Sequence, residues 1–327
     1  LRRSLTAALL LGAAFLSPLA GRASADPVEI TARRIEHFGI AGLTERFGRL
    51  TFLGGLDLVG HDRRFGGWSG IAVSDDGAGV LMISDNGYYL TGTMEHEAGR
   101  LTGFGHADMG TLFPGGPESK QNSDAEDVAL DPKRPGCGLI SLERRSTPLL
   151  SFCMKNGRTD GFKPVPVPPD VLKLRFNRSL ESVAYAPPTS PAAGRVVIIG
   201  ESPFTREGKT MRGWILGSGS FEIVRHDDYD ISSARFMPNG DLMLLERRFT
   251  PATGIRMRLV LIPGETIKPG ATVDGEMLLD VGMATQIDNM EGLDIHRLPD
   301  GRTVVTLVSD DNTNILERTL LLQFRLD

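Results

Sequence analysis

The chain has 327 residues, with 36 Lys or Arg against 41 Asp or Glu, 40% hydrophobic side chains and two cysteines. Once the first twenty-five residues are set aside as an export signal, the loss of Arg2, Arg3 and Arg22 lowers the basic count to 33 and the net charge to −8. That balance excludes a protein that grips nucleic acid by its phosphates and permits a cation site; the length suffices for one large domain with a full core.

Arg2-Arg3 is a short basic region, Ala7 to Leu16 is an apolar run broken only by Gly12, and Ala23-Ser24-Ala25 before Asp26 is a small-residue cleavage site. The run is too short for a permanent span, which takes about 20 residues. Residues 1–25 are therefore expected to be an export signal, and 26–327 a single domain with no integral membrane segment. Export would deliver it to the periplasm or outside the cell by the general secretory (Sec) or the twin-arginine route, the paired arginines matching the latter.

After the signal, helix signals are scarce. Val28 to Phe38 is amphipathic and reads as either a short helix or a strand. From Trp68 onward one phrase recurs five times. It opens on a Ser or Glu beside a small apolar run: Trp68-Ser69-Gly70-Ile71-Ala72, Ala125-Glu126-Asp127-Val128-Ala129, Leu180-Glu181-Ser182-Val183-Ala184, Ile231-Ser232-Ser233-Ala234 and Met290-Glu291-Gly292-Leu293-Asp294. Each phrase closes fifteen to twenty residues later on an acid: Asp85, Glu143, Glu201, Glu246 and Asp310. From Ser69 through Glu126, Glu181 and Ser232 to Glu291 the steps are 57, 55, 51 and 59 residues. A period of this length with strand-like segments inside each unit means small sheets repeated around an axis, an all-β propeller.

Within a unit, Ser74-Asp75-Asp76-Gly77, Pro238-Asn239-Gly240-Asp241 and Pro299-Asp300-Gly301-Arg302 carry turn chemistry between the first and second strands. Leu50 to Gly60 and Thr319 to Leu326 fall outside the five phrases and both read as strands; paired, they would close the circle as a sixth blade. Six blades are expected, with five and seven as alternatives. Gly103 to Ser123 and Lys163 to Asp170 read as long loops. Gly138 to Arg144 and Leu149 to Met154 read as a hairpin centred on residue 145, which sets Cys137 opposite Cys153. Such facing pairs are within disulfide reach, in a compartment that oxidises thiols.

These phrases resemble the bacterial phytase-like family, also described by an esterase-like activity of phytase, whose members repeat Glu-Gly-Leu-Ala at strand starts and Ser-Asp-Asp/Asn/Glu at strand ends. Met290-Glu291-Gly292-Leu293 with Ser309-Asp310-Asp311-Asn312 is the nearest match, and Asn122 with Glu126 and Asn177 with Glu181 share an Asn-x-x-x-Glu spacing. The resemblance spans nearly the whole mature chain and implies the fold more strongly than the reaction. Ser69 and Ser232 depart from it, so a ring of identical ligands is incomplete.

In a propeller the inner strands line one channel, so repeat-equivalent residues become neighbours. Glu126, Glu181 and Glu291 would share one level, with Asp85, Glu143, Glu201, Glu246 and Asp310 near by. So many carboxylates repel unless protonated, paired or bound to metal, and oxygen-only ligands suit a divalent cation, Ca²⁺ ahead of Mg²⁺. Leu142-Glu143-Arg144-Arg145 and Leu245-Glu246-Arg247-Arg248 are one tetrapeptide in two repeats, whose guanidinium forks would neutralise acids or clamp an anion. No Gly-x-Ser-x-Gly, His-Glu-x-x-His or Gly-x-x-x-x-Gly-Lys motif is present.

The reading is an exported, metal-dependent ester hydrolase, a phosphoesterase before other esters, acting as a monomer on a small anionic ester. Glu126, Glu181, Glu291 and Asp310 are the expected metal ligands, and Arg144, Arg247 and Asp85 the catalytic residues. A lactonase or carboxylesterase, or a non-catalytic binding or scaffold propeller, stands as the alternative.

Overall fold

In the computed structural model, which describes residues 25–39, 44–116, 123–143, 146–174, 180–201, 203, 208–298 and 300–327, each of the five phrases folds as the innermost strand of its own sheet. Blade 1 runs outward from Trp68–Val73 through Gly79–Ser84, Tyr88–Glu97 and Arg100–Thr111 to Asp26–Pro27. Blade 2 comprises Ala125–Leu130, Cys137–Leu142, Leu149–Lys155 and Arg158–Pro164. Blade 3 comprises Leu180–Tyr185, Val196–Gly200, Thr210–Ile215 and Gly219–Val224, with Thr272–Val273 added in parallel at its edge. Blade 4 comprises Asp230–Phe236, Leu242–Thr250, Gly254–Ile262 and Glu276–Gly282.

Blade 5 corrects the expected count of six. Leu50–Gly60 does pair with Thr319–Leu326, but the latter also pairs with Thr303–Asp310, so the two strands finish the fifth sheet instead of forming a sixth. The fifth phrase supplies only Asn289–Arg297 and Thr303–Asp310 before the chain reaches its last strand. The missing outer strands come from the other end of the chain: Leu50–Gly60, then Ile30–Ile35. That pairing also settles the ambiguous Val28 to Phe38 segment as strand. No sheet closes on itself; the blades make the circle, each inner strand lying beside the next from blade 1 to blade 5 and back.

The core is divided accordingly. Five apolar clusters fill the five junctions between blades, and strand alternation feeds two of them from one strand. In blade 4, Leu242 and Leu244 pack toward blade 3 while Met243 and Leu245 pack toward blade 5. This explains the unbroken Leu-Met-Leu-Leu run, since a strand sandwiched between two neighbours has no polar face. Between first and second strands the expected turns of blades 1 and 4 form, while Pro299 of the third lies outside the described residues; Gly77, at φ +75°, donates to the Ser74 carbonyl at 2.8 Å.

Cys137 and Cys153 are ladder partners in blade 2, bridged as a disulfide with Cα atoms 3.9 Å apart. The expected loop at Gly103 to Ser123 is, as far as Thr111, part of a long fourth strand. Its glycines make it look irregular, yet they make room for side chains of the neighbouring strand: Gly103 and Gly105 lie against Glu95, and a Cβ on Gly110 would stand 2.4 Å from the Tyr89 hydroxyl oxygen. Among the described residues, no helix is long and apolar enough to cross a membrane.

Candidate functional site

The mouth of the channel is the end at which inner strands begin and second strands finish. There the register of every inner strand slips by one residue against its neighbour, and the residue that the ladder skips is the repeat's Ser or Glu. Trp68 pairs with Ser84 and Gly70 with Ile83, leaving out Ser69. Glu126 is left out between Ala125 and Asp127, Glu181 between Leu180 and Ser182, Ser232 between Ile231 and Ser233, and Glu291 between Met290 and Gly292. A bulge bends the strand and re-aims its extra side chain. The five repeat positions are therefore five bulges, which sets Glu126, Glu181 and Glu291 at equivalent places around one mouth.

The two serines point to a different use. Ser69 Oγ donates to the Ala125 carbonyl at 2.5 Å and Ser232 Oγ to the Met290 carbonyl at 3.2 Å, in each case the residue before the next blade's bulge. Where the carboxylate is absent, its position holds a strap between blades.

Ladder partners also define the second ring. Ser84, Leu142, Gly200, Glu246 and Ser309 pair with equivalent inner-strand residues, so the residues that follow them are equivalent: Asp85, Glu143, Glu201, Arg247 and Asp310. The matching of Glu246 with the mouth acids is thus one residue out of register. Glu246 follows Leu242 and Leu244 on the face toward blade 3, where it is 5% exposed and burial pushes its carboxyl up to about 7. Arg247 takes the acid's place. The two Leu-Glu-Arg-Arg tetrapeptides are consequently not structural equivalents, because Leu142 aligns with Glu246 and not with Leu245.

Arg247 spans three blades from that place. Its Nη1 lies 3.0 Å from Asn289 Oδ1 and 3.4 Å from Glu291 Oε1, and its Nη2 3.2 Å from Glu201 Oε1. Asn289 Nδ2 donates to the same Glu291 oxygen at 2.8 Å. Burial alone would lower the guanidinium's pKa, but the charges of Glu291, Glu201, Glu181 and Glu126 raise it, so it stays protonated.

Across the mouth the acids crowd together. Asp124, Glu126 and Glu143 of blade 2 each offer a carboxylate oxygen within 4.8 Å of the others. Burial raises Glu126 well above the usual carboxylate range, and the charges of Glu291, Asp124, Glu143 and Asp85 raise it further. Glu181 is raised in the same way by burial and then by Glu126 and Glu201. Asp310 is pushed up to about 8 by burial, then by Glu291 and Asp85, although the Asn312 amide donates to it at 2.7 Å. Asp85 sits where Gly67 leaves room: at φ +69°, a Cβ on Gly67 would stand 2.4 Å from Asp85 Oδ1.

The structure thus brings Glu126, Glu181, Glu291, Asp310, Asp85 and Arg247 to one mouth. Arg144, Asn122 and Asn177 lie outside the described residues. Asp124 was not singled out from sequence, although it precedes Glu126 by two places as Asn289 precedes Glu291, and both face the site.

Sequence reasoning also missed the floor. One or three residues deeper along the inner strands, Arg235 of blade 4 makes a two-pronged pair with Asp127 of blade 2, Nη1 to Oδ2 at 2.7 Å and Nη2 to Oδ1 at 2.8 Å. Its Nε reaches Asp294 Oδ1 of blade 5 at 3.2 Å. Blades 1 and 3 join through backbone: Nη2 donates to the Ile71 carbonyl at 3.3 Å and Nη1 to the Val183 carbonyl at 2.8 Å, while the Val73 amide donates to Asp294 at 2.6 Å. One guanidinium and two carboxylates tie all five blades and floor the mouth beneath the bulges.

The sequence matches no curated protein. Among solved structures, "Structure of U3-55K" aligns at 10% identity and a TM-score of 0.36, over 84% of this chain and 98% of that one, too distant a likeness to carry any argument. The family model described as Phytase-like, esterase-like activity of phytase, matches residues 63–313, which begins just before the blade 1 inner strand and ends just past Asp310. Every mouth residue named above falls inside that span, and the chain belongs to the phytase-like family.

Proposed function

We propose that the protein is an exported, cation-dependent hydrolase of esters, phosphoesters first. The observation that carries the reading is the convergence of Asp124, Glu126 and Glu143, with Glu181, Glu291 and Asp310 around them, on one closed-bottomed mouth. An all-oxygen donor set of this charge suits Ca²⁺ better than Mg²⁺, which demands stricter geometry, or Zn²⁺, which takes nitrogen and sulfur. When bound, a divalent cation supplies Lewis acidity toward the ester and lowers the pKa of water.

The chain's own residues do the rest. Arg247, held by Glu201, Glu291 and Asn289, presents its fork to the anionic group of the substrate and to charge that develops there. Asp85, given room by Gly67, is the carboxylate set to accept the proton of the attacking water. The Asp127–Arg235–Asp294 floor keeps the inner strands in register, so that the bulged carboxylates keep their spacing. Arg144 remains the second candidate anion clamp. The same parts would serve a lactone or carboxylate ester.

A scaffold reading is favoured by one observation, the pairing of Arg247 with Glu201 and Glu291, which is what internal struts would do. Hydrolysis of p-nitrophenyl phosphate and p-nitrophenyl acetate by the parent, Glu126→Gln and Glu143→Gln separates the two. The hydrolase reading expects turnover that both variants lose while melting, with chelator present, as the parent does; no turnover of either ester by the parent leaves the struts.

A further inference from the structure

Large apolar side chains exposed to solvent are not scattered over this molecule. Of the six among the described residues, Leu172, Met283, Ile315 and Leu316 lie on connections at the mouth, Phe249 lies at the mouth end of a second strand, and Met277 alone lies at the start of an outer strand at the other end. A single exposed Leu means little, but a group at one place marks a contact. Four of the five belong to the adjacent blades 4 and 5, where exposure reaches 70% at Phe249, 57% at Met283, 98% at Ile315 and 86% at Leu316.

The group is continuous with Arg247. Along Leu242–Thr250 the side chains facing blade 5 are Met243, Leu245, Arg247 and Phe249: the first two are core, the third reaches Asn289 and Glu291, and the fourth clears the blade and stands in water. Phe249 lies two steps along the strand from Arg247, so an apolar group would begin about 7 Å outward from the anion clamp. Thr250, the next residue, pairs with Gly254, and a Cβ on Gly254 would stand 3.1 Å from Met283 Cγ, which places Met283 beside the same hairpin. Arg318 ties the loop bearing Ile315 and Leu316 to the connection after Met283: its Nη1 donates to Gln286 Oε1 at 3.0 Å and its amide to Asp288 Oδ2 at 3.1 Å.

We infer that the ester taken by this mouth is an amphiphile, with its anionic group at Arg247 and a linear apolar chain lying outward over Phe249 and the Met283, Ile315 and Leu316 lip. The inference rests on the hydrolase reading for the reaction but not for the binding. A small, fully hydrophilic polyanion would leave the lip unused. A second copy of this chain is the competing occupant.

The test is calorimetric binding of n-alkylphosphonic acids from propyl to octyl, below their aggregation concentrations, to the parent, to Phe249→Ser/Ile315→Ser/Leu316→Ser and to Arg247→Ala. Each methylene laid on the lip tightens binding by up to about fourfold. The parent should show that dependence on chain length, the triple variant should lose it, and Arg247→Ala should weaken every homologue alike while keeping the slope. Equal affinity across the series in the parent, or an unchanged slope in the triple variant, overturns the inference. So does sedimentation showing that the parent self-associates and the triple variant does not, which assigns the lip to a second copy. Chain-length dependence in a protein that hydrolyses no ester sinks the hydrolase reading alone; turnover of p-nitrophenyl esters indifferent to acyl length sinks the lip alone.

Discussion

Arg247 stands in blade 4 on the ladder place that Asp310 holds in blade 5, and it turns from there to within 3.4 Å of Glu291. One basic residue has replaced one acid of a ring, and the mouth is polarised as a result: carboxylates gather at blade 2, and a guanidinium faces them from blade 4.

If that guanidinium clamps substrate, Arg247→Ala should slow turnover of anionic esters by about 10- to 100-fold, the worth of a charge-assisted pair, and of neutral esters far less. Arg247→Lys keeps the charge without the fork and should fall between. Steady-state rates on p-nitrophenyl phosphate and p-nitrophenyl acetate check this; equal losses on both esters would contradict it.

Much of this arrangement was legible in the sequence. Spacing alone located the five inner strands and the residues that prove to be their bulges, because repeats preserve distance along the chain. The hairpin symmetry about residue 145 located the disulfide for the same reason. Blade number was not legible, since nothing local in Leu50–Gly60 says that its partner is the last strand of an incomplete fifth unit instead of a unit of its own. The role of Glu246 was misread because an identical tetrapeptide outweighed register, and a slip of one residue moves a side chain to the other face. Arg235 carried no signal at all. An arginine in a β-strand ordinarily reaches solvent, and its burial follows from all five inner strands meeting around one axis.

That burial sets a stability prediction. Asp127→Asn removes the carboxylate that Arg235 grips with both prongs, and should cost about 3–5 kcal/mol in urea unfolding. Asp127→Leu, Arg235→Met and Asp294→Leu made together, which removes the whole charged triad, should recover most of the loss. An Asp127→Asn midpoint equal to the parent's would contradict the floor.

Glu246 makes stability depend on pH. Its folded pKa of about 7 lies above the ordinary 4.5, so the native state holds the proton more tightly than the unfolded chain. Its contribution is full below about pH 4.5 and is lost as pH rises to about 7, a change of up to about 3 kcal/mol. Between those values the parent should lose more stability than Glu246→Gln, which cannot ionise. Melting curves from pH 4.5 to 8 check this, and parallel slopes for the two proteins would contradict it.

A cation in the mouth should stabilise the fold it binds. At a hundredfold excess over its dissociation constant, calcium adds about 2.7 kcal/mol, or about 5 °C in melting temperature for a domain of this size. Glu126→Gln, which removes one ligand charge at nearly constant shape, should weaken the shift markedly. No shift with either calcium or magnesium would mean that the carboxylates are neutralised from within.

The most direct test is the rate of p-nitrophenyl phosphate hydrolysis by purified protein before chelation, after it, and after calcium is restored. Hydrolysis should be abolished by chelation and returned by calcium, with Glu126→Gln inactive throughout. Hydrolysis indifferent to the chelator, or none under any condition, would contradict it.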